Sequence, residues 1–212
     1  SCLRSKHYQH CARIVAKNYT EFSEKVQRLQ QGANDPDVLV YQKPEGLNER
    51  LVFIFTGQGR QYLGMATELF GSEKIFRETM VQCDALFAKY ADWSIIQAMT
   101  VTEQENADLS NTDVAQALVF AIQVGLLHLW RSWQVQPQAV IGHSVGEVAA
   151  AYAAGILSLE HAVEIIYYRG KFLQPWKNKG CMILVQAQKE TLRALLEAFN
   201  DKVVISAENS AA

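Results

Sequence analysis

Cysteine, proline and charge of one sign are all scarce in this 212-residue chain, and each scarcity excludes something. The four cysteines, Cys2, Cys11, Cys83 and Cys181, stand apart without a CxxC pair, so neither a disulfide framework nor a metal site is predicted. Free thiols of this kind fit a reducing compartment, and the chain reads as cytoplasmic. No apolar run approaches the roughly 18 residues that would suggest a membrane span. The polar start from Ser1 to His10 also lacks the basic patch and apolar stretch of a signal peptide, so no membrane role is expected. The balance of 20 Lys and Arg against 22 Asp and Glu gives a net charge of −2 with no basic block, which argues against nucleic acid.

What is present is a core: 49% of the residues are hydrophobic, enough for one or two folded domains. The start at Ser1 without Met and the stop at Ala212 lead us to expect a piece of something larger. Cys11, Ile14, Val15, Phe22, Val26 and Leu29 recur at roughly helical steps before Gly32 and predict one amphipathic helix; Val38 to Tyr41 is a strand candidate. Residues 1–50 thus read as an adapter. Leu51 to Thr56 is an uninterrupted apolar run closed by Gly57, as in a parallel strand buried on both faces. From Asp113, Val114, Leu118, Ile122 and Leu129 mark a long helix that Pro137 ends, and Ala139–Ile141 is a second short strand. An Ala-rich helix from Val145, a turn near Gly155, a cap at Ser158 and a helix to about Leu173 follow, so residues 51–178 predict an α/β core with a parallel sheet. Residues 179–212 read as strand (Met182–Val185), helix (Thr191–Phe199) and strand (Val203–Ile205), the opening of a small α+β subdomain.

The strongest chemical signal is Gly142-His143-Ser144-Val145-Gly146 between strand and helix. In a nucleophile elbow the Ser occupies a strained turn, and the flanking glycines keep side chains out of the bend. The hydroxyl then sits at the positive end of a helix, and the Val145 N–H points to where an oxyanion forms. Gly57-Gln58-Gly59 at the end of the first core strand is the second feature, since ligand sites lie off the carboxyl ends of parallel strands, and the Gln58 amide is a candidate second oxyanion donor. It is not a dinucleotide fingerprint, because Tyr62 takes the third glycine's place. Arg169 is the third. A helix climbing about ten residues from Val145 and one returning from Ser158 bring it back to the level of Ser144 at roughly 1.5 Å per residue. Its planar fork suits a carboxylate.

Phe53 to Met65, then Gly142 to Glu147, then Arg169 together closely resemble the acyltransferase domains of modular polyketide synthases and the related malonyl-CoA:acyl-carrier-protein transacylases, in order and spacing over residues 51–210. The resemblance implies a hydrolase-like core with an inserted ferredoxin-like subdomain beginning near residue 179, and it makes residues 1–50 similar to a linker joining a ketosynthase to its acyltransferase. It also implies a ping-pong transfer without a bound cofactor: Ser144 takes an acyl group from acyl-CoA and passes it to the phosphopantetheine thiol of an acyl carrier protein. Gln58 and Val145 then serve the oxyanion, Arg169 holds the free carboxylate of a malonyl-type unit, and His143 lines the pocket. Thr112-Asp113-Val114-Ala115-Gln116 resembles the segment of malonyl-selective members, which makes Gln116 a substrate-pocket residue and malonyl-CoA the expected substrate. The family's general-base His is expected beyond Ala212. Two rivals remain: a serine esterase of the α/β-hydrolase type, which predicts an HGGG-like loop that is absent here, and a docking fragment without catalysis.

Overall fold

A computed structural model describes residues 9–42, 50–59, 61–100, 109, 111–177, 179–199 and 202–208. His7 and Arg60 lie outside the described residues. The chain divides into two compact units, one formed by Ser1–Val52 with Pro137–Ala139 and one by Phe53–Gln136 with Val140–Ala212.

In the first unit, β1 (His10–Ile14) pairs antiparallel with β2 (Val38–Gln42), His10 opposite Gln42 and Ile14 opposite Val38. Helix α1 (Tyr19–Gln30) lies between them in sequence and starts at Asn18, whose side-chain oxygen accepts the Glu21 N–H. The single helix expected from Cys11 onward is therefore corrected. Cys11 and Ile14 belong to a strand, because a ladder to a segment some thirty residues on outweighs a helical spacing that Asn18 interrupts. Lys25 is buried at 7% exposure and donates to Val15 O, Glu21 Oε1 and Asp37 Oδ2, each at 2.8 Å.

These bonds, first to Asp37 and then to Glu21, push the Lys25 ammonium up to about 12, and the same contact with Lys25 holds the Glu21 carboxyl below its ordinary value. A carboxyl shifted down lends stability above its ordinary pKa and withdraws it as pH falls through its folded value. Thermal unfolding of Glu21→Gln against the parent is therefore expected to show a deficit near neutral pH that closes as pH falls through the lowered folded value of the Glu21 carboxyl. A gap that stays constant with pH would remove the ion pair from the account.

The second unit is built around α5 (Thr112–Ser132), of which 12 of 21 residues are buried. By length and composition α5 could cross a membrane, yet it packs against α3 (Lys74–Phe87), α4 (Ile95–Thr100), α6 (Gly146–Ala153) and α7 (Leu159–Leu173), with α2 (Thr67–Ser72) on α3. It is a core helix. Gly125 permits a close approach of α3: a Cβ there would lie 2.6 Å from the ring of Phe76, which is fully buried.

Strands β3 (Val52–Phe55) and β4 (Ala139–Gly142) form a two-stranded sheet. The Gln138 N–H donates to Leu51 O at 2.8 Å and the His143 N–H to Phe55 O at 2.9 Å, so partners advance together and the strands are parallel, as the α/β reading requires. Burial of β3 on both faces is corrected. Phe55 is buried, but Ile54 is 68% exposed and Ile141 of β4 is 55% exposed, because among the described residues the helices cover one face of this pair.

Residues 179–208 give the largest departure. Only the helix of the expected strand–helix–strand forms, as α8 (Lys189–Leu196) with a 3₁₀ turn at Glu197–Phe199. Met182–Val185 and Val203–Ile205 are irregular, since among the described residues neither finds a ladder partner and β propensity alone does not hold a strand.

Candidate active site

Ser144 follows β4 and precedes α6, and its backbone lies at φ +55°, a region that non-glycine residues enter only at a cost. The two flanking glycines have steric reasons. A Cβ on Gly142 would come within 2.4 Å of Glu147 Cα, and one on Gly146 within 2.1 Å of Phe55 O. The strained turn and the close approach of β3 behind it are thus one arrangement. It leaves the Ser144 side chain exposed at the start of α6 while Val145 turns into the core.

Gly57 brings the end of β3 against the same turn. A Cβ there would lie 3.1 Å from His143 Nδ1 and 3.2 Å from Ser144 Cβ, so the His143 ring covers Gly57 and leaves the Ser144 hydroxyl alone. Among the described residues, the N–H groups of Gln58 and Val145 find no protein acceptor. Gln123 of α5 fixes the strand end by donating from Nε2 to Thr56 O at 2.7 Å, while its Oε1 is buried without a partner.

Arg169 comes back to the elbow as the helix arithmetic predicts. Its Nη2 donates to Ser144 Oγ at 3.1 Å, and its Nη1 donates to Gln116 Oε1. Gln116 is 4% exposed, and its Nε2 donates onward to Gln58 Oε1 at 3.4 Å. One chain of hydrogen bonds therefore joins Ser144, Arg169, Gln116 and Gln58, bringing together all three features that the sequence singled out. Partial burial lowers the pKa of the Arg169 guanidinium, and the negative charge of Glu147 partly offsets that. Among the described residues Arg169 has no carboxylate partner, and a guanidinium so placed beside a hydroxyl can receive an anion.

Among the described residues, neither His128 nor His161 bonds to Ser144. His10 is in β1, and His161 sits in the first turn of α7, where its N–H donates to the capping Ser158 Oγ at 3.2 Å. His128 is half-buried, with Nε2 at 2.7 Å from the Tyr152 hydroxyl, and desolvation lowers its pKa. Among the described residues no group of three or more His, Cys, Asp or Glu is placed to hold a metal ion.

Sequence reasoning missed Gln174, which reaches from the end of α7 to the start of α5. No local pattern marks a contact across 62 positions. It also placed the helix start at Asp113, whereas Asn111 occupies the cap position.

Comparison with known proteins accords with this geometry. The family described as the acyl transferase domain matches residues 52–212. Erythronolide synthase EryA2 of Saccharopolyspora erythraea is 34% identical over 206 residues, covering 97% of this chain and 6% of that protein. Mycoketide-CoA synthase of Mycobacterium tuberculosis (strain ATCC 25618 / H37Rv) is 39% identical over 160 residues, covering 76% and 4%. Among solved structures, the acyltransferase domain from the second module of the salinomycin polyketide synthase superposes with a TM-score of 0.79 at 33% identity, over 95% of this chain and 46% of that one. The acyltransferase domain from module 8 of the same synthase gives 0.83 at 30% identity, over 99% and 49%. The chain belongs to the acyltransferase domain family, in its modular polyketide synthase branch. It spans about half the length of those solved domains and a small fraction of the curated synthases.

Proposed function

We propose that this domain loads an acyl unit, malonyl in particular, from acyl-CoA onto the phosphopantetheine thiol of an acyl carrier protein by way of an ester on Ser144. The observation that carries the reading is the Arg169 fork within 3.1 Å of Ser144 Oγ. It sets a carboxylate receptor one acyl chain's reach from a nucleophile. Ser144 Oγ attacks the thioester carbonyl, the Oγ–C bond forms, the C–S bond breaks, and coenzyme A leaves as the thiol; the carrier thiol then reverses the sequence. The Val145 and Gln58 N–H groups stabilise the oxyanion in both steps, each donor being worth roughly 10²- to 10³-fold in such sites. Gln116 acts through Arg169, since both ends of its amide are already engaged. His143 lines the pocket beside Gly57. No cofactor or metal enters the scheme. The partners are the carrier protein, a ketosynthase and the other domains of a cytoplasmic multidomain synthase, consistent with the relatives named above.

Arg169 can donate to Ser144 Oγ but cannot accept its proton, so the transfer needs a separate general base, the role that the family resemblance gives to a His, and such help is typically worth roughly 10²- to 10⁴-fold. In the full-length protein, incubation with malonyl-CoA is expected to add one malonyl mass to the peptide carrying Ser144, and Ser144→Ala should abolish the adduct. Labelling that survives Ser144→Ala would overturn the assignment, and release of free malonate in place of carrier-bound acyl would favour the esterase reading.

A further inference from the structure

The first turn of α5 is held from α7 rather than by its own cap. A helix start leaves four N–H groups without intrahelical acceptors, and a residue such as Asn at the cap normally supplies one from its side chain. Asn111 does not. Its Oδ1 accepts from Gln174 Nε2 at 3.1 Å and from Lys177 Nζ at 2.9 Å. The orphan Thr112 N–H goes instead to Gln174 Oε1 at 2.8 Å. Gln174 thus caps, from another helix, the segment that carries Gln116.

The spacing turns these contacts into a clamp. Gln174 grips Thr112 and Arg169 grips Gln116, so α5 and α7 run antiparallel with two anchor points on each. The anchors lie five residues apart on α7 and four on α5, about 7.5 Å and about 6 Å along helices rising roughly 1.5 Å per residue. Between them Gly170 lets the backbones meet: a Cβ there would lie 2.6 Å from Asp113 Cα. A shift of the α5 start would therefore carry Gln116 with it and redirect the Arg169 fork.

We propose that Gln174 is a positioning residue for acyl-unit selection, fixing through Thr112 and Asn111 the register in which Gln116 presents Arg169 to the carboxylate of the incoming acyl group. The inference rests on the carboxylate reading of Arg169 proposed above. Gln174 hydrogen-bonds to neither Ser144 nor Arg169, and it works by holding the start of α5.

The test is carried out in the full-length protein, with malonyl-CoA and acetyl-CoA as the two substrates of single-turnover acylation. Gln174→Leu, which keeps the volume but removes both hydrogen bonds, is expected to lower the malonyl rate constant divided by its half-saturation concentration by roughly tenfold or more, since a displacement of about 1 Å in positioning groups can cost 10²-fold. The acetyl value should fall by less than about threefold, and the loss should sit mainly in malonyl half-saturation. Gln174→Glu keeps an acceptor for Thr112 N–H while Lys177 retains Asn111, and it should restore most of the malonyl preference. Equal losses for both substrates, or an unchanged preference in Gln174→Leu with its fold intact by circular dichroism, would overturn the proposal. If Gln174→Leu fails to fold, the preference of Gln174→Glu against that of Gln174→Asn, whose shorter chain cannot span both partners, decides. Arg169→Ala in the same assay separates the two readings: an unchanged preference there refutes the carboxylate role itself, whereas a lost preference there with none lost at Gln174 refutes the clamp alone.

Discussion

Gly146→Ala is expected to abolish acylation of Ser144 and to lower the melting temperature of the protein. The added Cβ would lie 2.1 Å from Phe55 O, 2.6 Å from Phe55 C and 2.7 Å from Thr56 O. All three are backbone atoms, so no rotamer change relieves the overlap. Phe55 O also accepts the His143 N–H at 2.9 Å, which makes β3 and the elbow part exactly where they are bonded to one another. Overpacking a well-filled site typically costs about 1–3 kcal/mol, and backbone obstruction lies at the upper end. The separation also draws Gly57 and the Gln58 amide away from Ser144, so the catalytic loss should exceed the stability loss, on the order of 10²-fold or more. Gly155→Ala is the control. Gly155 is left-handed, at φ +77°, but a Cβ there meets nothing within 4 Å, so Gly155→Ala should cost only the roughly 1 kcal/mol of local strain and leave acylation intact. Full activity in Gly146→Ala would show that β3 does not buttress the elbow.

The two glycine substitutions also mark how far the sequence could be read. The elbow was legible because its requirements are local: a strand, a small-residue turn and a helix in unbroken succession, with Ser144 driven to φ +55° by the bend itself. Arg169 was legible because helical rise is fixed, so counting from Val145 to Ala153 and back from Ser158 places it. Ser158 and Gly155 announced the turn between α6 and α7 through their own chemistry, an N-cap and a left-handed glycine. What sequence reasoning missed depended on partners far along the chain. β1 exists because His10–Ile14 meets Val38–Gln42, and Met182–Val185 has strand composition but no such partner among the described residues. The Gln174 bond to Thr112 spans 62 positions, and the burial of Gln116 arises only when α5 and α7 are packed, so neither leaves a pattern in the order of residues.

Arg169→Ala is expected to convert the site from one that prefers a dicarboxylic acyl unit to one that does not. In the structure the fork spends one nitrogen on Gln116 and points the other at Ser144 Oγ, and on the proposed reading that second nitrogen takes a carboxylate oxygen of the acyl group. A malonyl group bound there replaces a neutral acceptor with an anionic one, and hydrogen bonds to charged groups are worth roughly 1.5–3 kcal/mol, about ten- to 150-fold. Burial has already lowered the guanidinium's pKa, a sign that water screens it less than it would a surface Arg and that an arriving carboxylate gains more from it. Acetyl-CoA has no such group. Its transfer should be preserved or should rise, because removing the fork takes away a partly desolvated cation that acetyl cannot pair. Arg169→Lys should fall between, keeping the charge but losing the planar geometry that lets one side chain hold Gln116 and the substrate together. Acylation by the two coenzyme A esters, followed by intact mass and quantified as a ratio, measures this directly. A parallel fall for malonyl and acetyl in Arg169→Ala would assign Arg169 to holding α7 against the elbow, and the preference for a carboxylate would then have to come from a residue other than the one bonded to Ser144.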